Sequence, residues 1–158
     1  MNSLTAEVRV RRMGAADLDR VMGIAGSLEE APQWAASAYA AAIDSEHIPR
    51  RIALVAADLA RDTIAGFLIA GTVSPGAELE TIAVAAEAQR SGVGGLLLRA
   101  LVKELRAERV TELTLEVRAS NGAALAFYQA QGFKENGRRR CYYADPEEDA
   151  VLMRLSVV

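Results

Sequence analysis

The segment of residues 78–105 limits the folds open to this chain more than any other segment. The apolar run ETIAV leads toward QRSGVGG at residues 89–95, where three glycines fall in four positions. Leu97, Leu101 and Leu105 then recur at the spacing of one helix face. The sequence therefore predicts a strand, a glycine-rich loop and an amphipathic helix in direct succession.

Hydrophobic periodicity predicts the other elements. Strands are expected at residues 8–13, 51–58, 63–73, 78–86, 112–120, 133–143 and 150–158, the sixth of them interrupted. Helices are expected at residues 14–28, 96–108 and 121–132. A further short helix is expected with Pro32 in its first turn and its end near residue 43. Crossover helices occur only in the second half, which favours a single α/β or α+β sheet. Because no repeat, linker or low-complexity tract interrupts the pattern, we expect one domain over residues 1–158.

Composition excludes several function classes. The chain is 51% hydrophobic and 25% charged, and no apolar run approaches the roughly 20 residues of a membrane span, so a soluble globular protein is expected. The N-terminal sequence MNSLTAEVRVRRM lacks a secretory signal pattern, which predicts a cytoplasmic location. A net charge of -3 lacks the basic excess of nucleic-acid-binding proteins, so no nucleic-acid partner is expected.

Cysteine and histidine are too scarce for several kinds of site. Cys141 is the single cysteine, which excludes an internal disulfide and a multi-cysteine metal cluster. His47 is the single histidine, and its place two residues before a proline predicts an ordinary loop residue. We therefore expect no metal site, and no Ser or Cys nucleophile with a histidine base.

The glycine-rich loop fails two common phosphate-binding patterns. A dinucleotide fingerprint starting at Gly92 would need glycine where Leu97 stands, and no Gly-Lys-Ser/Thr follows for a Walker loop. Glycines before a helix can still turn backbone amides toward an anion such as a pyrophosphate, with Gln89 and Arg90 at its edge. They can equally serve a tight strand-to-helix turn. The loop alone leaves both interpretations open.

Two blocks of the second half carry a family resemblance. QRSGVG at residues 89–94 resembles the Q/R-x-x-G-x-G/A pyrophosphate loop of the Gcn5-related N-acetyltransferases. LEVRASN and FYQAQGF, within residues 115–133, resemble the ribosomal-protein-alanine N-acetyltransferases, the RimI-like group, and RRRCYY and EDAVLM extend that likeness. The chain departs from the pattern at AAEA, residues 85–88, where similar proteins have Asp-Pro and an aromatic residue. This departure removes a proline that would stiffen the loop.

The resemblance implies a fold and a cosubstrate. The fold would be one central mixed, mostly antiparallel sheet of about six or seven strands, flanked by about four helices. The cosubstrate would be acetyl-CoA, with no metal. By resemblance, the residues that bind it are Ile82, Ala83, Val84, Gln89, Arg90, Ser91, Gly92, Val93, Gly94, Gly95 and Asn121. Asn121 is also a natural helix cap.

The resemblance also assigns two catalytic residues. Glu116 would be the general base, working through a water molecule, and Tyr128 the acid that protonates the leaving thiolate. From residue type alone, Glu116 could instead form a cross-strand ion pair and Tyr128 could be a core aromatic residue. Tyr142 and Tyr143 would flank the acceptor groove together with the helix that bears Trp34, although Trp34 itself also fits a core position.

The basic run formed by Arg138, Arg139 and Arg140 is typical of a solvated face. The resemblance predicts acetylation of a protein N-terminus, that of a small-subunit ribosomal protein beginning with alanine. Two alternatives remain: acetylation of a small-molecule amine or a lysine side chain, and a non-catalytic acyl-CoA-binding module. The sequence does not predict an oligomeric state.

Overall fold

The strands of the computed structural model form one seven-stranded sheet in the order β1-β2-β3-β4-β5-β7-β6. The structure describes residues 7–28, 31–73 and 75–158. The strands are β1 Val8–Arg12, β2 Arg51–Asp58, β3 Thr63–Val73, β4 Gly76–Val84, β5 Glu112–Arg118, β6 Lys134–Tyr143 and β7 Glu148–Ser156. Among the strand pairs of the described residues, β4 with β5 is parallel and the others are antiparallel. The predicted mixed, mostly antiparallel sheet is confirmed.

Four α-helices of the described residues flank this sheet. They are α1 Leu18–Ser27, α2 Ala36–Ile43, α3 Val93–Ala107 and α4 Gly122–Ala130. The prediction that Pro32 lies in the first turn of α2 is wrong, because Ala35 is the N-cap and has extended backbone angles. The helix α3 begins three residues before the predicted start, so that Val93 and the two glycines after it belong to its first turn.

Two predicted strands are displaced along the chain. β4 ends at Val84 rather than at residue 86, because a short 3-10 turn occupies Ala86–Ala88. β7 begins at Glu148 and ends at Ser156, two residues earlier at each end than the pattern of apolar residues predicts. Both displacements arise because apolar side chains also fill turns and chain ends that pack on the core.

The two faces of the sheet carry separate hydrophobic clusters. One cluster holds the leucine face of α3 and residues of α4, and it includes Leu97, Leu101 and Leu105, all fully buried. The other cluster lies under α1 and α2 and includes Tyr39 and Phe67. The predicted amphipathic helix is therefore confirmed, and each pair of helices covers its own face.

The sheet opens between β4 and β5. These strands pair only over Gly76–Glu78 and Glu112–Thr114, whereas β4 stays paired with β3 as far as Val84. The amide of Ala85 donates to the carbonyl of Ala65 on the β3 side at 2.8 Å. By alternation along an antiparallel strand, the main-chain groups of Ile82 and Val84 then point away from β3, into the opening. The opening thus exposes main-chain donors and acceptors on its β4 side.

Candidate functional site

The glycine-rich loop lies at the end of β4 beside this opening. Gly92 is the N-cap of α3, with φ of 88° in the left-handed region, and Arg90 also has a positive φ of 61°. The Ser91 hydroxyl donates to the carbonyl of Ala88, and the Gln89 side-chain amide donates to the carbonyl of Val84 at 3.1 Å. The second of these bonds joins the loop to β4, and the first joins it to the short turn between them.

The three loop glycines meet three different requirements. Gly92 takes a conformation that side chains disfavour. A Cβ on Gly94 would lie 3.0 Å from Cζ of Phe127, so α3 approaches α4 here more closely than a larger residue allows. A Cβ on Gly95 would meet the end of the flexible Arg99 side chain at 3.2 Å. The turn interpretation therefore holds for Gly92, and Gly94 is also a packing residue.

The first turn of α3 provides free amides. The amide of Leu96 donates to the carbonyl of Gly92 at 3.1 Å, which is the first hydrogen bond of the helical ladder. The amides of Val93, Gly94 and Gly95 precede it and have no acceptor within the helix. Together with the positive end of the helix dipole, such amides can hold an anion. The geometry is compatible with the predicted pyrophosphate cradle.

The AAEA segment before the loop is ordered without a proline. The amide of Ala88 donates to the carbonyl of Ala85 at 2.8 Å and closes the 3-10 turn, and both alanines are buried. An exposed ion pair between Arg20 of α1 and Glu87, 2.8 Å long, fastens the turn to the first helix. Backbone bonds and small buried side chains thus replace the missing proline and aromatic residue.

Glu116 lies at the opening, two residues beyond the last pair that joins β5 to β4. Burial alternates along β5 as predicted, with Leu115 and Val117 on the covered face and Glu116 on the other face. Its side chain is 23% exposed, and its Oε1 lies 3.3 Å from Nε of Arg139. The predicted cross-strand ion pair therefore exists, in a place that a general base could also occupy.

A second carboxylate lies near Glu116. Partial burial raises the pKa of Glu78, the negative charges of Glu116 and Glu80 raise it further, and Arg139 acts in the opposite direction. Glu80 has its own cation, because Nε of Arg51 lies 2.8 Å from its Oε2. Glu78 and Glu116 thus place two carboxylates at the cleft, and carboxylates attract a cationic amine.

Tyr128 is buried in α4 and is 9% exposed. Its ring packs against Phe127 and Phe133, with centroids 5.4 Å and 5.6 Å away. Burial raises the pKa of Tyr128 to about 12, with a smaller contribution from Tyr143. The phenol is therefore fully protonated at neutral pH, and it can donate a hydrogen bond but releases its proton reluctantly.

The interrupted strand β6 brings two tyrosines to the site. Pairing with β7 is irregular between Arg139 and Tyr143, which confirms the predicted interruption, and such bulges redirect side chains. Tyr142 is 48% exposed, and the nearby Glu116 carboxylate raises its pKa. Tyr143 packs under the Arg118 guanidinium, whose carbon lies 4.3 Å from the ring centroid.

Two further predicted residues have ordinary structural contacts. The Asn121 side chain accepts a hydrogen bond from the amide of Ala124 at 3.1 Å, which confirms its place as the cap of α4. Trp34 is partly buried and packs on Tyr39 with centroids 5.4 Å apart. It also lines an open cavity of about 460 Å³ together with His47 and Arg51.

Sequence reasoning missed Arg139 and Glu78 as members of this site. The basic run suggested a uniform solvated face, but Arg138 pairs with Glu135 at 2.9 Å whereas Arg139 turns to Glu116. The signal that could have found Arg139 is its position two residues before CYY in an interrupted strand, where a bulge can redirect alternate side chains.

Within the described residues, no helix is long and apolar enough to span a membrane.

Comparisons with known proteins agree with this architecture. The model of the acetyltransferase (GNAT) family matches residues 19–133. The [ribosomal protein bS18]-alanine N-acetyltransferase of Salmonella typhimurium is 46% identical over 100 residues, which cover 62% of this chain and 68% of that relative. The crystal structure of the ribosomal-protein-S18-alanine N-acetyltransferase from Escherichia coli superposes with a TM-score of 0.81 and 34% identity, and covers 95% of this chain and 94% of that one.

A more distant structure shares the fold. Arabidopsis thaliana NAA60, solved in complex with acetyl-CoA, has a TM-score of 0.84 at 18% identity and covers 94% of this chain and 99% of its own. The family model spans most of the chain, and the bacterial relatives exceed 30% identity. This chain belongs to the acetyltransferase (GNAT) family.

Proposed function

We propose that this chain transfers the acetyl group of acetyl-CoA to the N-terminal α-amine of a protein, and that the acceptor is a small-subunit ribosomal protein beginning with alanine. The observation that carries the proposal is the opening between β4 and β5, which has Glu116 at its start and free main-chain groups along β4. The names of the Salmonella and Escherichia relatives, which act on an alanine of ribosomal protein S18, support the choice of acceptor.

Acetyl-CoA would lie along the β4 side of the opening. The pantetheine arm would bond the main chain of Ile82 and Val84, with Ala83 between them, because those groups are oriented into the gap. The carbonyl of Val84 already accepts from Gln89, which leaves its amide and both groups of Ile82 for the ligand. The same amides could polarise the thioester carbonyl as negative charge develops on its oxygen.

The pyrophosphate would bind at the start of α3. The amides of Val93, Gly94 and Gly95 have no acceptor within the helix, and the αL turn at Gly92 lets a ligand approach them. Arg90 and Ser91 would complete this end of the site, with Asn121 near the CoA arm at the N-terminus of α4. An anion at the start of α3 gains from the dipole of that helix.

The base in this reaction would be Glu116. It accepts a proton from the α-ammonium of the acceptor through a water molecule. The neutral nitrogen then forms a bond to the thioester carbon, and it releases its second proton to solvent as the carbon–sulfur bond breaks. An α-amine with a pKa near 7.7–8.0 needs little help at neutral pH, whereas a lysine near 10.4 needs much more. The Glu116 carboxylate, with Glu78 and its raised pKa beside it, suits deprotonation of the α-amine, which is the easier of the two.

Tyr128 would meet the thiolate that leaves when the carbon–sulfur bond breaks. Full transfer of a proton from a phenol near pKa 12 to a thiolate near 8.5 is uphill by about 5 kcal/mol. We therefore assign Tyr128 a hydrogen bond to the sulfur as negative charge develops on that atom. The proton would transfer completely only where the bound ligand or solvent supplies the remaining free energy. Tyr142 and Tyr143 would flank the acceptor on the β6 side.

The acceptor class can be tested with three substrates. CoA release is measured with an alanine-starting peptide that copies the N-terminus of the ribosomal protein, with an N-blocked lysine peptide and with a polyamine. We expect the first to be used with the highest kcat/KM. A preference for the lysine peptide or for the polyamine would contradict the proposal, and no turnover with any amine despite acetyl-CoA binding would indicate a binding module.

A further inference from the structure

Three consecutive arginines of β6 have different surroundings. Arg138 forms an exposed pair with Glu135 three residues earlier, at 2.9 Å. Arg139 instead reaches across β7 to β5, where its Nε lies 3.3 Å from Oε1 of Glu116. The intervening β7 residue, Leu152, pairs with Glu116 and carries no charge. The basic run is thus not one solvated face, since one member contacts the carboxylate at the opening.

The Arg139 side chain is held by a second contact. Its guanidinium carbon lies 5.4 Å from the ring centroid of Tyr142, within the range of a cation–π contact. The Glu116 carboxylate is also the main cause of the raised pKa of Tyr142. Arg139 therefore contacts both the Glu116 carboxylate and the ring of Tyr142, whose pKa this carboxylate raises.

The charges around Glu116 oppose one another. On the β6 side, the Arg139 guanidinium attracts the Glu116 carboxylate. The charge of Glu116 raises the pKa of Tyr142 and, after burial, contributes to the raised pKa of Tyr143. On the β4 side, Glu116 and Glu78 repel each other, and Arg139 acts on Glu78 in the opposite direction. Loss of Arg139 would leave the two neighbouring carboxylates without this cation.

We propose that Arg139 is a positioning residue for Glu116, and that their ion pair fixes the Glu116 carboxylate at the β4–β5 opening. This inference rests on the proposed function, in which Glu116 is the base. An unpaired carboxylate in the cleft would rotate away from the acceptor, and this rotation removes the base from the reaction.

The test is the separate measurement of kcat and KM for the wild type, R139Q, R139K and R138Q, with the alanine-starting peptide. We expect R139Q to lower kcat by about 10- to 100-fold, the loss that a displacement of about 1 Å can cause, with little change in KM. R139K should recover part of the lost kcat. R138Q, which removes an exposed pair on the same strand, should match the wild type.

A double variant separates positioning from a general effect on the fold. If Arg139 acts through Glu116, R139Q should cause no further loss of kcat in an E116Q background. Titration of Glu78 by NMR is a measurement that does not depend on turnover, and R139Q should raise the pKa of Glu78 further whereas R138Q should not.

A wild-type kcat for R139Q, or an equal loss of kcat from R139Q in the E116Q background, would overturn the inference. These results differ from a failure of the proposed function, because in that case E116Q itself would keep wild-type activity. An R139Q variant with normal turnover beside an impaired E116Q would contradict the role of Arg139 alone.

Discussion

Gly94 lies directly against the ring of Phe127, and a Cβ at this glycine would be 3.0 Å from Cζ. The contact joins the first turn of α3 to α4, the helix that carries Tyr128. The same glycine is expected to hold the pyrophosphate with its amide. A substitution there consequently disturbs packing as well as any ligand, so the two effects need separate measurements.

The packing effect predicts opposite outcomes for the same chemical change at two glycines. G94A should lower the free energy of unfolding by about 1–3 kcal/mol, the usual cost of an overpacked site. G23A is the matched control, because Gly23 is exposed within α1 and nothing lies within 4 Å of its Cβ. That variant should gain about 0.5–1 kcal/mol from helix propensity. Urea unfolding measures both, and a neutral G94A would contradict the close approach.

The anion cradle is better tested by shortening the ligand than by mutating the loop. Acetyl-CoA and S-acetylpantetheine share the acetyl group and the arm, but only the first has the pyrophosphate. We expect calorimetry to show tighter binding of acetyl-CoA, with an affinity that falls as salt rises, because the amides of α3 contribute mainly electrostatic attraction. Equal affinities for the two ligands would indicate that the glycine loop serves as a turn and does not bind the pyrophosphate.

The buried phenol of Tyr128 predicts a specific loss of stability at alkaline pH. The unfolded chain releases this proton near pH 10 and the folded chain near 12, so rising pH favours the unfolded state across that window. The contribution of neutral Tyr128 is complete below pH 10 and lost by pH 12. Relative to Y128F, the wild type should lose about 2–3 kcal/mol more over this range. Parallel curves for the two proteins between pH 10 and 12 would contradict the shift.

Tyr128 also makes a prediction for turnover. Y128F should lower kcat by about 10²–10⁴-fold if the hydroxyl supports the leaving thiolate. The alkaline limb of the wild-type pH profile should remain flat up to about pH 10, because a phenol near pKa 12 does not titrate there. An alkaline decline near pH 10 that disappears in Y128F would show that the bound ligand lowers this pKa.

Local sequence patterns predicted much of the fold because they are local physical requirements. The leucine spacing determines which face of α3 is buried, and the alternation of β5 separates Glu116 from Leu115. The start of α3 was misplaced because glycines have low helix propensity, yet here they form its first turn against Phe127. Tertiary contact overrode propensity at that point.

The surroundings of Glu116 were less predictable. Glu116 was identified only through the family resemblance, and its contact with Arg139 depends on the register of three strands and on the irregular end of β6. The raised pKa of Glu78 depends on how far β4 and β5 diverge. Neither quantity is encoded in the periodicity of a single segment.

The role of Glu116 as the base for acetylation of a protein N-terminus is tested most directly by kcat/KM of E116Q with the alanine-starting peptide. E112Q is the matched control, because Glu112 lies on the same strand and forms an ion pair with Arg154 at 2.7 Å. We predict a fall of about 10²–10⁴-fold in E116Q, with unchanged acetyl-CoA affinity, and wild-type turnover in E112Q. Wild-type turnover in E116Q would contradict this role.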